Sequence, residues 1–112
     1  MDRISVIVPC YNEQEAIPIC YNEISKTADS LRQKAEIQIL FVNDGSKDAS
    51  LAEMKKLAEQ DSRVKYVSFS RNFGKEAAMY AGLSYADGDY VAIMDVDLQD
   101  PPSLLPEMYR II

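Results

Sequence analysis

The 112-residue sequence predicts an α/β fold built on an open, doubly wound, mostly parallel sheet. Three observations predict it. Short apolar runs alternate with longer amphipathic segments along the whole chain. The first, second and fourth runs are nearly continuous in apolar residues, which is the pattern of strands covered by helices on both faces. The resulting βαβαβαβα order implies right-handed crossovers between parallel neighbours. The length fits a single unit over 1–112.

The elements follow in order. Ile4-Ser5-Val6-Ile7-Val8, closed by Pro9, is the first strand. Ile17, Cys20, Ile24, Ala28 and Leu31 recur at three- and four-residue steps and mark one face of a helix. Pro18 fits only in a first turn, so this helix begins near Ala16 or Ile17. Ile37–Val42, closed by Asn43-Asp44-Gly45, is the second strand. A second helix follows Ser46-Lys47-Asp48, with Asp48 or Ser46 as N-cap and Leu51, Met54, Leu57 and Ala58 facing inward. Val64–Phe69 alternates more clearly and is the third strand. The third helix spans about Lys75 to Ala86, and its small inner face (Ala77, Ala78, Ala81, Gly82) permits close approach to the sheet. Tyr90–Met94 is the fourth strand, and a fourth helix starts after Pro101-Pro102-Ser103. The expected strand order is 3-2-1-4. It places the ligand crevice between Pro9–Glu13 and Asp95–Asp100, beyond the carboxyl ends of strands one and four.

Composition removes several classes of function. A net charge of −6 argues against a nucleic-acid footprint. The absence of histidine excludes His-based acid–base chemistry, Ser-His-Asp triads and most zinc sites. Cys10 and Cys20 read as small core residues, not as a disulfide framework. The opening Met1-Asp2-Arg3 lacks a signal-peptide stretch, and no segment approaches the roughly 18 apolar residues of a membrane span. The chain therefore reads as cytoplasmic.

The residues that could carry chemistry fall behind the strands. Glu13, Glu15, Asp44, Asp48, Asp95, Asp97 and Asp100 are seven of the 18 acids, and all are expected at one sheet edge. Like charges held together call for a compensating cation, and without His or a thiolate cluster that cation is a hard one, Mg²⁺ or Mn²⁺. Asp95 and Asp97 are two residues apart, so in extended geometry they project together. They can share one metal, or one can take a ribose hydroxyl while the other takes the metal. Gln99 is again two residues on and can add a neutral oxygen. The competing reading makes them loop acids capping the next helix, but capping needs one acid and leaves two in phase unexplained. Asn43-Asp44-Gly45-Ser46 is ideal turn chemistry, and alone it favours a simple turn. Opposite Tyr11 and Glu13, Asp44 can also accept from a base N–H. Tyr11 either packs on base or ribose or covers the sheet edge. Arg71 and Lys75 either meet a diphosphate, aided by a helix N-terminus, or form a solvated basic loop. No GxGxxG or GxxxxGK[ST] is present, so dinucleotide and P-loop readings fail.

Four segments then carry a resemblance. Val8-Pro9-Cys10-Tyr11-Asn12-Glu13, Val42-Asn43-Asp44-Gly45-Ser46, Ser70-Arg71-Asn72-Phe73-Gly74-Lys75 and Asp95-Val96-Asp97-Leu98-Gln99-Asp100-Pro101-Pro102 occur in this order. Together they resemble family 2 glycosyltransferases of the Rossmann-like GT-A fold, and among them the dolichyl- and undecaprenyl-phosphate sugar synthases. The resemblance implies that the chain carries the nucleotide-sugar half of such a domain. Pro9, Tyr11, Glu13 and Asp44 would hold the nucleoside. Asp95, Asp97 and Gln99 would hold the cation at the donor diphosphate, with Asp95 and Asp97 as the catalytic carboxylates. The implied activity is an inverting transfer from a UDP- or GDP-sugar to a polyprenyl phosphate at the cytoplasmic face of a membrane. The later acidic residue near the acceptor, the acceptor loop and any membrane-associating helices would lie beyond Ile112. A sheet edge left uncovered would favour self-association.

Three other classes compete. A phosphatase-like hydrolase would use Asp95 as nucleophile and Asp97 as acid, but it wants the acidic pair after the first strand and a following Thr or Ser strand. A receiver-like acidic-pocket module would accept a phosphoryl group at Asp44 or Asp95. A nucleotidyltransferase would need a glycine-rich first loop, which is lacking.

Overall fold

β1 (Asp2–Cys10) is flanked by β2 (Ala35–Asn43) on one side and β4 (Tyr90–Ile93) on the other, and β3 (Val64–Ser68) pairs with the far edge of β2. The computed structural model describes residues 1–98 and 101–111. All pairings are parallel and the order is β3-β2-β1-β4, as expected from the sequence. The register sets Val6 beside Ile39 and Ala92, and Val8 beside Phe41. Because side chains alternate across a strand, this register sorts the strand residues into two layers.

One layer is large. Ile4, Val6 and Val8 of β1 and Ile37, Ile39 and Phe41 of β2 pack against Ile17, Cys20 and Ile24 of α1 (Ala16–Leu31) and against Met54 and Leu57 of α2 (Ser50–Gln60). The other layer is small, with Ile7, Leu40 and Val42 against Ala78 of α3 (Lys75–Tyr85). The small inner face of α3 has the predicted consequence. A Cβ on Gly82 would come 2.4 Å from Cγ2 of Ile7, so the helix lies against the sheet only because that position is glycine. α1 begins at Ala16 with Pro18 in its first turn, where a missing N–H costs nothing. Cys10 and Cys20 are free and buried.

Two expectations need correction. The fourth strand is not buried on both faces: Tyr90, Val91 and Ile93 are 38%, 42% and 42% exposed. β4 is the outer strand of the sheet, and α3 packs on β1 and β2 instead of lying over it. The second helix starts at Ser50, later than expected. Asp48 still serves its entry, its Oδ1 accepting from the Ser50 N–H at 2.9 Å. At the far end of the chain a single 3₁₀ turn (Pro102–Leu104) leads into α4 (Leu105–Ile111).

The α2–β3 turn is held by charge. Arg63 donates to Asp61 through Nε at 3.1 Å and Nη2 at 2.8 Å, and the Tyr21 hydroxyl of α1 donates to Asp61 Oδ2 at 2.7 Å. The Arg63 hydrogen bonds, reinforced by that of Tyr21, lower the Asp61 carboxyl from an ordinary 3.8 to about 2. A depressed carboxyl stabilises the fold above its unfolded pKa and ceases to do so as pH falls through its folded one. The contribution is therefore complete above about pH 4 and lost near pH 2, and amounts to about 2 kcal/mol. Urea denaturation of wild type and Asp61→Asn should show a stability gap of that order at pH 6 that closes as pH approaches 2. A gap independent of pH would show that the pair contributes through packing alone.

Candidate functional site

The carboxyl ends of β1, β2 and β4 open into one cleft of about 410 Å³. Pro9, Cys10, Tyr11 and Glu13 line it from the β1–α1 loop, and Asp44 from the end of β2. Asn72, Gly74, Lys75 and Ala78 line it from the entry to α3, and Asp95, Val96 and Asp97 from the end of β4. This is the crevice between strands one and four that the strand order required.

The first wall is stitched to the second by backbone amides meeting short polar side chains. Asn12 sits in the left-handed region with φ 52°, which an asparagine tolerates. Its N–H donates to Ser46 Oγ at 2.9 Å, and its Oδ1 accepts from the Lys47 N–H at 2.8 Å. The Glu13 N–H donates to the buried Ser50 Oγ at 2.8 Å, and Gln14 Oε1 accepts from the Ala49 N–H at 2.9 Å. Glu13 also turns its carbonyl to the Ala16 and Ile17 N–H groups, which opens α1. Its side chain is half-buried on the cleft wall and accepts no hydrogen bond among the described residues.

The second wall depends on Asp44, which is only 3% exposed. Its Oδ1 accepts from the Phe73 N–H at 2.8 Å. Its Oδ2 accepts from the Gly74 N–H and from Asn72 Nδ2, both at 3.0 Å. Asn72 Nδ2 also donates to the Asp44 carbonyl at 3.1 Å. Asp44 is thus more than a turn residue: it clamps the β3–α3 loop and places a negative charge where α3 begins, the favourable end of a helix. The loop lies so near that a Cβ on Gly45, at φ +69°, would come 2.1 Å from the Arg71 carbonyl carbon. Asn43 braces the same corner, its Nδ2 donating to Ser68 Oγ at 3.0 Å and its Oδ1 accepting from the Ser46 N–H at 3.0 Å.

The third wall carries Asp95 and Asp97, which do not project from an extended strand as expected: β4 ends at Ile93, and the two acids lie in a turn closed by the Leu98 N–H donating to the Asp95 carbonyl at 3.0 Å. Asp95 is partly buried and accepts from Lys75 Nζ at 2.7 Å, while Asp97 is exposed. That hydrogen bond raises the Lys75 pKa, so the ammonium is charged at any physiological pH. Cys10 lies in the wall but is no nucleophile. Burial pushes its thiol well above the usual range and that of Cys20 up to about 12, which keeps both protonated.

Pro9, Tyr11, Glu13, Asp44, Lys75, Asp95 and Asp97 therefore share one cleft, as expected. Arg71 does not line it; its guanidinium lies 4.7 Å from the centroid of the Phe73 ring, in a cation–π contact on the outside of the loop. Glu15 and Asp48 face a separate recess with Asn12 and Gln14, and Asp48 is engaged by the Ser50 and Gln14 amides. The seven acids are thus divided, and no group of three or more metal-ligating acids or thiols converges among the described residues. Gln99 and Asp100 lie outside the described residues. The sequence reasoning gave no role to Asn72, Asn12 or Ser50. Their signal was the placement of short polar residues in loops that the strand order makes adjacent.

Residues 5–112 match the model of the glycosyl transferase family 2. This chain belongs to that family. It is 46% identical over 106 residues to the prophage bactoprenol glucosyl transferase homolog of Escherichia coli K12, covering 95% of this chain and 34% of that protein. It thus spans about a third of the length of the curated relatives it matches. Among solved structures it resembles the mannosyltransferase PcManGT from Pyrobaculum calidifontis in complex with GDP-Man and Mn2+. That match has TM-score 0.73 and 30% identity, over 86% of this chain and 28% of that one. S. aureus TarS in complex with UDP-GlcNAc matches at TM-score 0.68 and 26% identity, over 85% and 26% of the two chains. Family membership decides against the hydrolase and receiver-like alternatives.

Asp44 is the part of the site most exposed to a direct test. Asp44→Ala strands two loop amides and should cost about 3 kcal/mol in urea denaturation. Amide exchange at Phe73 and Gly74 should become fast in the folded variant. Retained protection at both would show that the loop is held by something else.

Proposed function

We propose that this chain is the donor-binding part of an inverting glycosyltransferase that moves a sugar from a UDP- or GDP-sugar to a polyprenyl phosphate. The observation that carries the reading is the convergence of Tyr11, Glu13, Asp44, Lys75, Asp95 and Asp97 on one cleft at the switch point of a family 2 domain. An aromatic ring and a free carboxylate on the β1 side suit a nucleoside. Pro9 and Tyr11 give it a face to lie on, and Glu13 has unused acceptor capacity for ribose or base donors. Asp44 borders the same end. With its oxygens already accepting from the loop, its part is to shape the wall, with remaining lone pairs for a base N–H.

The Asp95–Asp97 side suits a hard divalent cation, Mg²⁺ or Mn²⁺. The fit is supported by the Lys75 ammonium, which already stands as a cation 2.7 Å from Asp95. Asp95 and Asp97, with Gln99, would hold the metal, and when bound it would neutralise charge on the departing nucleoside diphosphate. Lys75 adds a second positive charge on the same side. A phosphate oxygen of the acceptor attacks the anomeric carbon from the face opposite the nucleotide. The new C–O bond forms as the bond to the diphosphate breaks, and the electron pair leaves with the nucleoside diphosphate. A phosphate is ionised near neutral pH, so the step needs no strong base. Support for a polyprenyl-phosphate acceptor comes from the relatives named bactoprenol glucosyl transferases. Such an acceptor would place the whole protein at the cytoplasmic face of a membrane. No helix among the described residues is long and apolar enough to cross one.

Calorimetry with a panel of UDP- and GDP-sugars should detect binding in the presence of Mn²⁺ and at least a tenfold loss on chelation, or about 1.4 kcal/mol. Asp97→Asn should match the chelated protein while leaving the thermal midpoint unchanged, because Asp97 is exposed. Equal affinity with and without metal would sink the reading.

A further inference from the structure

Lys75 is the only cation among the described residues that line the cleft, where it faces four carboxylates, Glu13, Asp44, Asp95 and Asp97. Asp44 is answered by the loop amides. Among the described residues Asp95 is answered by Lys75 alone, through the 2.7 Å contact between Nζ and Oδ1. Glu13 and Asp97 accept no hydrogen bond among the described residues. The wall therefore holds a net negative charge, yet the proposed donor arrives with a negative diphosphate. A divalent cation that takes Asp95 must also contend with the ammonium already there, since like charges repel at contact distance.

The two partners differ in freedom. Asp95 lies two residues after β4, and the intervening Met94 N–H donates to the Ile7 carbonyl at 2.9 Å, so the backbone that carries the carboxylate is tied to the sheet. Lys75 is the first residue of α3, anchored only at its backbone by the Asp44-held turn, and its side chain is 63% exposed. A flexible lysine stem of four carbons therefore ranges further than the short Asp95 side chain on its tied backbone.

We propose that Lys75 is a resident counter-ion that holds Asp95 in the ligand-free protein and changes partner when donor and metal arrive together. The metal replaces the ammonium on Asp95, and the released ammonium turns to the donor's diphosphate. No covalent bond changes in this exchange. Its thermodynamic consequence is coupling. Metal alone must break the Lys75–Asp95 pair with nothing gained for Lys75. Metal with nucleotide breaks the same pair and gives Lys75 a phosphate. Each ligand therefore raises the affinity of the other, by equal factors. The inference rests on the donor-site reading above and adds its regulation.

The test is Mn²⁺ binding to this chain, read by water-proton relaxation, with and without UDP or GDP as the probe nucleotide. Lys75→Met should bind Mn²⁺ alone more tightly, by roughly two- to fivefold, the range for a partly exposed ion pair. The same variant should bind nucleotide in saturating Mn²⁺ more weakly, by about tenfold, so that metal–nucleotide coupling collapses. Lys75→Gln should repeat both changes and Lys75→Arg should restore the coupling, which a general loss of fold would not do. Opposite signs for the two affinities support the exchange. Unchanged or weakened Mn²⁺ binding in Lys75→Met and Lys75→Gln overturns it while leaving the donor site intact. Failure of the wild-type chain to bind either nucleotide with Mn²⁺ removes the donor site, and the exchange with it.

Discussion

A carboxylate taken out of water must be met by donors, and Asp44 is met by three from a single turn: the amides of Phe73 and Gly74 and the side chain of Asn72. The rest of the cleft depends on this arrangement. It carries the β3–α3 loop across to the end of β2, and the absence of a Cβ on Gly45 lets the Arg71–Asn72 backbone close the gap. α3 then begins where its first residue, Lys75, reaches Asp95 at the end of a strand two places away in the sheet. Two segments that are distant in sequence, the end of β2 and the β3–α3 loop, are joined because one buried charge has to be satisfied.

The sheet supplies the other half of the geometry. β1 is fully buried along Val6-Ile7-Val8, so its direction is set by packing on both faces. Its end, Pro9 to Glu13, is held against the β2–α2 loop by hydrogen bonds from Asn12, Glu13 and Gln14. β4 is the more exposed element, with Tyr90, Val91 and Ile93 partly open to solvent. The cleft thus has a buried side built from β1 and β2 and a more exposed side built from β4. The groups assigned to the metal lie on the exposed side.

Charge is distributed to match. The chain as a whole is acidic, yet its cleft contains one lysine placed against one of its carboxylates. An unpaired acidic cleft would repel a diphosphate, and a cleft filled with lysines would exclude the metal. In the proposed exchange, one ammonium paired with one carboxylate would accommodate both ligands, provided that they come together.

The sequence by itself determined the layered fold, the strand order and the end of the sheet where the cleft opens. These follow from local apolar periodicity and from the handedness of crossovers, both of which are written in short segments. Seven residues singled out from the sequence, from Pro9 to Asp97, do meet in the cleft, because each lies at the carboxyl end of a strand or in the segment that leads from it to the next helix. What only the tertiary structure decided is how the polar groups are shared among partners. Asp44 lines the cleft but is engaged by the loop amides; Arg71, for which a diphosphate contact or a basic loop stood open, lies on Phe73; Asp48 and Glu15, expected at the same sheet edge as the other acids, face another recess. The burial of the fourth strand was misjudged for a related reason, since an apolar run does not reveal whether a helix lies over it. Periodicity is a property of neighbours along the chain, whereas the partner of a buried carboxylate is chosen by whichever donors the finished fold brings within about 3 Å.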